Sequence, residues 1–414
     1  MIPRAFHWRA LLCGFVFPTV AFANPMGLAS LLKTTAEQNP SILQIRSRAQ
    51  AAGFEVEAAK FGRFPSIYTD GRSQGNGYLN STRIEQPLWT GGRITGQISL
   101  AEANEQAARA QILETEFNVL SEVSVAYFDL LRAQAKLKSA EENIQEHQRL
   151  VDLIQRRVTN EISAAADLTL AKARLQSAIS EKIQIGRQLD ISRQTVARLS
   201  GATVSAGIPP KKIAFSTQPR DEIYVQKANE FSAQRRRLLF QIESARQQIA
   251  VASAQAWPVL LAGYQHYWSR PLPLGYTDNK TYFSLQYQPG AGLSAISRKE
   301  AAVMQQEAAR QELENLDRTL EANVRSAVAD IEAFRLQEGP AKLLLTNSAE
   351  VLDSYIRQYQ VGRRNWLEVL NTQREKTQAA YNLADVEYGL QASQVKLMLL
   401  TGDLHGQQLS ALHD

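Results

Sequence analysis

Apolar residues recur every three or four positions over two very long stretches of this chain. In the first, Leu113, Phe117, Leu120, Ser124, Tyr127 and Leu131 step by four and three. After a phase shift, Leu137, Ile144, Val151 and Val158 resume the stripe. That spacing lines one face of an α-helix. Ile94 to Val158 holds no proline and a single glycine, Gly96, so the pattern predicts one helix of roughly 95 Å at 1.5 Å per residue. A lone globular domain has little use for such a helix, whereas a sustained heptad stripe indicates a coiled coil. A polar turn around Thr159 to Ala164 reverses the chain into a second helix that ends at Leu199. The second long stretch, Ser294 to Tyr359, follows the same plan. Proline lacks the amide that a helix interior needs, so Gly339-Pro340 predicts an interruption and a kink there. After a turn at Val361 to Asn365, a return stripe runs through Tyr381, Ala384, Tyr388, Gln391, Val395 and Met398.

Two shorter segments lack the helical period. Pro65 to Pro87 places Gly71, Gly75, Asn76, Gly77 and Asn80 between short runs that carry Ile67, Tyr68 and Ile84, which reads as a β-hairpin with weak alternation. Leu260 to Tyr287 is a longer hairpin holding Tyr264, Tyr267, Trp268, Tyr276 and Tyr282. Its Phe283, Leu285 and Tyr287 alternate as one face of a strand should. Pro25 to Gly62 reads as a helix broken at Asn39-Pro40, and Asp221 to Ala256 reads as one helix.

The pattern occurs twice. Asn160 to Gly201 is a degraded copy of Val361 to Gly402, at an offset of 201 residues. Both copies open on a polar turn, place an acid seven residues along (Asp167 and Glu368) and stop at Leu-Ser/Thr-Gly. Upstream, Val123, Ala126 and Asp129 meet Val324, Ala327 and Asp330. Phe64-Pro65 matches Trp257-Pro258, and Gln86-Pro87 matches Gln288-Pro289, so the second hairpin carries about nine extra residues, the kind of insertion loops accept. Internal duplication is the expectation. Residues 24–201 form a first repeat, with its hairpin at about 65–89 and its helical tip at about 158–168. A Gly/Pro-rich linker at 202–219 leads to a second repeat at 220–402, with hairpin at about 258–289 and tip at about 359–371, and 403–414 is a short tail.

Composition adds the compartment. Arg4, His7 and Arg9, the apolar run Ala10 to Val20, and Ala21-Phe22-Ala23 before Asn24 read as a secretory signal peptide over residues 1–23, cleaved after Ala23. Cys13, the only cysteine, lies inside it and follows Leu12 rather than the small residue a lipoprotein box wants. The mature chain therefore has no thiol for a disulfide, and its stability must come from packing and assembly. The net charge of +5 falls to +3 without Arg4 and Arg9, too little to imply nucleic acid. No mature segment has 18 consecutive apolar residues. Each half thus contributes helix, hairpin, very long helix, turn and helix. Two strands per half cannot stand alone as a sheet, and four strands per chain leave two open edges. Those edges close if several chains share one barrel, the only form in which strands cross a bilayer. The aromatic-rich second hairpin suits a membrane interface, and heptad helices hanging below would form a tube.

At this point the chain resembles the TolC family of outer-membrane efflux and secretion channels, over essentially all of residues 25–402. The resemblance rests on the duplicated plan, on Phe64-Pro65, on Gln86-Pro87-Leu88-Trp89-Thr90-Gly91-Gly92-Arg93, and on Val361-Gly362 with Glu368-Val369-Leu370. It implies a mainly α fold with a small β part: a tandem-duplicated helix, hairpin and long coiled-coil hairpin, assembled as a homotrimer. A twelve-stranded β-barrel in the outer membrane of a Gram-negative bacterium would sit above a periplasmic α-helical barrel. The tip would open to a periplasmic adaptor (a membrane fusion protein) and an inner-membrane ABC or RND pump. Tyr359, Arg364 and Asp167 match the positions where the family holds its tip shut. Glu368 and Asn371 match its two constricting acids, and Asn371 departs by losing a charge, which implies a weaker grip on cations. Glu161 stands where the second repeat has Gly362, and since glycine eases a tight turn, the first tip is expected to turn with a different geometry. The first tip, RVTNEISAAADL, resembles family members that serve type I secretion of large adhesins.

Other chemistry is thin. His147, His266, His405 and His413 show no metal-ligand spacing, and no P-loop, H-E-x-x-H or G-x-S-x-G occurs, so neither an enzyme nor a cofactor is expected. Arg235-Arg236-Arg237 reads as a solvated helix face. The alternative is a periplasmic adaptor or coiled-coil scaffold that bridges pump and channel. An adaptor would carry one helical hairpin flanked by β domains, whereas this chain has two hairpins of helices and two pairs of strands.

Overall fold

The computed structural model describes residues 24–74, 77–210, 221–268, 277–288, 290–291 and 294–404. The expected signal peptide, the hairpin tips around Asn76 and Tyr276, the linker residues 211–219 and the tail beyond Leu404 lie outside the described residues.

Helices come in matched lengths. α1 (Leu28–Gln38) and α5 (Asp221–Phe231) each have 11 residues, and α2 (Pro40–Phe61) and α6 (Ala233–Ala254) each have 22. α3 (Arg93–Thr159) and α7 (Ser294–Gln360) each have 67, and α4 (Ala165–Ser200) and α8 (Trp366–Thr401) each have 36. Asn39 caps α2, its side chain accepting from Ser41 N at 2.8 Å with Pro40 at the first helical position. The single helix expected over 221–256 is instead two, because Ser232 ends α5 and caps α6 by accepting from Arg235 N at 3.1 Å. α7 runs through Pro340 without the expected interruption. Proline removes the bond to the Leu336 carbonyl, and both residues lie on the exposed side, where water can replace it.

α3 packs along α4, α6, α2 and α8, and α7 packs along α8, α6 and α5. Three clusters form the core. The central one joins α1, α2, α3, α4 and α8 through Leu31, Ile42, Leu120, Tyr127, Phe128, Val196 and Val395. A second sits where α5, α7 and α8 meet, around Tyr224, Val324, Ile331 and Leu397. The third lies at the helical tip. Two short strands escape the sequence pattern. β1 (Asn24–Met26) pairs in parallel with β4 (Val204–Gly207), inside the stretch expected to be plain linker. Tyr127 pins them from α3: its hydroxyl oxygen lies 2.9 Å from Met26 O and 2.6 Å from Ile208 O, and accepts from Ile208 N at 2.9 Å.

β2 (Ser66–Gln74), β3 (Gly77–Trp89), β5 (Val259–Tyr267) and β6 (Asn279–Gln286) form one antiparallel sheet in that order, with β2 and β6 at its edges. Both hairpins leave from the same end of the long helices, opposite the tips.

Candidate functional site

Cross-strand register sorts the sheet into two chemically different faces, since residues paired across strands project to the same side. One face carries the rows Ile67–Ile84–Tyr264–Thr281, Gln86–Ala262–Phe283 and Trp89–Leu260–Leu285. Its Ile67, Phe283 and Leu285 are 70%, 74% and 69% exposed, so this apolar face is uncovered within the chain. Aromatic residues flank it at both ends. Trp89 meets Trp257 edge-on at 6.3 Å at the helix side. Trp268 donates from Nε1 to Thr82 Oγ1 at 3.0 Å at the loop side. The other face carries Tyr68–Arg83–Gln265–Lys280 and Ser66–Glu85–Gly263–Tyr282. There Arg83 Nε lies 3.3 Å from Glu85, Tyr282 donates to Glu85 at 2.7 Å, and Gln265 donates to Ser81 at 3.0 Å. Gly263 leaves room for the Tyr282 ring, whose Cζ would sit 2.3 Å from any Cβ at that position. The weak alternation along each strand becomes a more apolar and a more polar face only once the strands are paired; toward the loops the first face turns polar, at Thr69–Thr82–His266–Asn279.

At the opposite end the two helical hairpins meet. Both turns use the same helix-ending motif. Ile162 N donates to Arg157 O at 2.8 Å and Glu161 N to Val158 O at 3.0 Å. Arg363 N donates to Gln358 O at 2.9 Å and Gly362 N to Tyr359 O at 3.0 Å. Glu161 has φ +58° where Gly362 has φ +76°. The different geometry expected of the first tip is therefore overturned: glutamate adopts the glycine conformation. A side chain in that region costs about 1 kcal/mol. The first turn also lacks a cap, since Ala164 offers none, whereas Asn365 accepts from Leu367 N at 3.0 Å. Glu161→Gly is expected to stabilise the first tip by about 1 kcal/mol. Slower amide hydrogen exchange of residues 157–163 would show it.

Tyr359 is 6% exposed and packs against Trp366 at 5.2 Å between ring centroids. Its hydroxyl lies 3.2 Å from Ser163 Oγ, and the Arg157 guanidinium stacks 4.8 Å from its ring centroid. Arg157 also donates to Ser163 Oγ at 3.2 Å and to Gln360 O at 3.0 Å, so it ties the first tip to the second. Arg364 pairs with Glu368, donates to Gln358 at 3.1 Å and stacks 4.2 Å over Tyr355. Asp167 and Glu368 occupy the third position of α4 and α8, where a carboxylate favours the positive helix end. Among the described residues the Asp167 carboxylate has no hydrogen-bond or ion-pair partner. Within one chain, then, Asp167, Tyr359 and Arg364 lie at one tip but are not bonded to one another. Val361 is exposed on the turn. Glu368 is half-buried and Asn371 exposed, one turn apart on α8. Sequence reasoning missed Arg157, Ser163 and Trp366, whose residue types carry no signal without the second hairpin beside them.

One helical turn or more from the tip, His147 is 7% exposed and has no hydrogen-bond partner among the described residues. Burial first, and then the charge of Arg174, hold its imidazole below the ordinary histidine value of 6.5. The unfolded chain therefore takes up a proton more readily than the folded one, so stability rises with pH toward 6.5 and is lost as pH falls below it. Thermal unfolding in chloride salts between pH 5 and 7.5 is expected to show this slope, and His147→Gln to flatten it.

A family description, outer membrane efflux protein, matches residues 31–202 and 225–403. Outer membrane protein TolC of Vibrio cholerae is 23% identical over 402 residues, which is 92% of each chain. A solved membrane protein of Pseudomonas aeruginosa superimposes with a TM-score of 0.80 at 17% identity, covering 90% of both chains. The outer membrane protein VceC of Vibrio cholerae does so with a TM-score of 0.77 at 15% identity, covering 91% of this chain and 96% of its own.

Proposed function

Because the chain belongs to the outer membrane efflux protein family, we propose that it is the exit duct of a tripartite export machine, gated at its helical tip. The observation that carries this reading is the amphipathic four-stranded sheet with two open edges. An uncovered apolar face bordered by aromatic residues matches the lipid side of an outer-membrane barrel, and a charged opposite face matches its lumen. The edge of β6 would receive β2 of the next chain, and three chains would bring twelve strands. The helices support the same closure. α6 packs on both α3 and α7, while α2 packs on α3 and exposes Phe54 and Phe61. α7 exposes Ile296 and Met304 near its start. The α7 of one chain against the α2 of the next would repeat the α3–α6 contact, a head-to-tail interface that closes a ring.

In that ring, Asp167 of one chain, unpartnered within it, would face Arg364 or Tyr359 across the tip. Glu368 and Asn371 would line the constriction, with one ring of carboxylates rather than two. Arg364 already pairs with Glu368, which lowers the field a passing cation meets. An inner-membrane ABC or RND pump would supply the energy, through a periplasmic adaptor. Planar-bilayer recording tests the gate. Replacing Tyr359→Phe and Arg364→Ser together is expected to raise single-channel conductance severalfold over the parent. Unchanged conductance in that variant would discard the latch while leaving the duct.

A further inference from the structure

We propose that a cavity between α3, α4 and α8, about 130 Å³ in volume, binds a small oxyanion of the phosphate or carboxylate class. It is lined by His147 from α3, by Arg174, Ser177 and Glu181 from α4, and by Asn371 and Arg374 from α8. The site is built within one chain, and it shares Asn371 with the proposed constriction.

Three features point to an anion. Arg174 and Arg374 are both exposed, and neither has a carboxylate partner among the described residues, so their guanidinium groups are free to take a ligand. An arginine offers a planar fork of donors that matches an oxyanion, and two from different helices converge here. His147 lines the same cavity, buried and without a hydrogen-bond partner, so its imidazole can supply a further donor. One acid, Glu181, also lines the cavity; burial raises its affinity for a proton, and it faces the Tyr381 hydroxyl. Asn371 and Ser177 add neutral polar groups. The volume decides the size of the ligand. It is well under the roughly 300 Å³ at which pockets begin to take drug-sized molecules, so an ion fits and an efflux substrate does not. Position 371 is the natural control. An aspartate there would bring a resident carboxylate to the two guanidinium groups at unchanged volume.

Isothermal titration of the full mature chain in detergent, with sodium phosphate and separately with sodium succinate, tests the site against sodium chloride at equal ionic strength. One anion per chain is expected. Arg174→Gln, Arg374→Gln and Asn371→Asp should each weaken it at least tenfold, while Arg310→Gln on α7 leaves it unchanged. Tighter binding of phosphate would identify an inorganic ion, and tighter binding of succinate a small carboxylic acid. Circular dichroism establishes that each variant folds. As a second readout, the His147 imidazole resonance, assigned by its loss in His147→Gln, should shift on titration. Heats no larger than those of chloride would overturn the proposal. So would binding that all three arginine variants weaken alike, which is diffuse surface charge, or that Arg174→Gln and Arg374→Gln leave intact.

Discussion

Phe283→Arg is expected to abolish insertion into lipid bilayers while leaving the helical portion folded. Phe283 lies in the middle row of the apolar face, paired with Ala262 and flanked along its own strand by Leu285 and Thr281. It is 74% exposed in the single chain, so its burial partner must be external. A guanidinium on the lipid side near mid-bilayer costs about 2–4 kcal/mol per site. In the proposed ring the substitution enters once per chain, and the penalties add. Tyr282→Arg makes the contrast. Tyr282 lies on the opposite, polar face beside Glu85, so the same charge there should leave insertion intact. Liposome flotation of the two variants reads the difference, and circular dichroism controls for loss of helix.

Trp366→Ala is expected to loosen the tip by about 3–5 kcal/mol, the usual cost of deleting a buried large aromatic. Trp366 is 2% exposed, begins α8, and packs on Tyr359, so it is the wedge between the second turn and the helix before it. Around it lie Leu150, Ile154, Leu352, Val369 and Leu370, drawn from three of the four tip helices. Losing one hydrogen bond at Tyr359 removes about 1 kcal/mol, so Trp366→Ala should open the duct more than the latch substitutions do. Amide exchange at residues 355–370 should accelerate, whereas exchange around Tyr127 should not change. Protection that stays level at the tip would show that Trp366 is not what holds it.

How much of this was legible in the sequence depends on how far apart the interacting residues are. The long helices could be read because Leu120, Tyr127 and Leu131, or Tyr381, Ala384 and Val395, repeat a local period that burial then enforces. The break at Ser232 could not, because a capping serine looks like any polar helix residue until its Oγ finds Arg235 N. β1 and β4 are three and four residues long, too short to show a period, and they exist because Tyr127 holds Met26 and Ile208 across the fold. The continuity of α7 at Pro340 could not be read either, because it depends on Pro340 and Leu336 both lying on the exposed side, where water replaces the lost bond. Glu161 differs from the expectation because glycine eases this turn without being required for it: glutamate adopts the same left-handed conformation. At the tip, position alone marked Tyr359, Arg364 and Asp167. Ser163 and Arg157 beside Tyr359, and Gln358 beside Arg364, became visible only in the folded chain.

The most direct measurement is single-channel recording of the purified mature protein in planar bilayers. Insertion is expected, with a small, only weakly cation-selective conductance that Trp366→Ala enlarges. Well-folded protein that never inserts would contradict it and return the chain to the rival role of a soluble periplasmic scaffold.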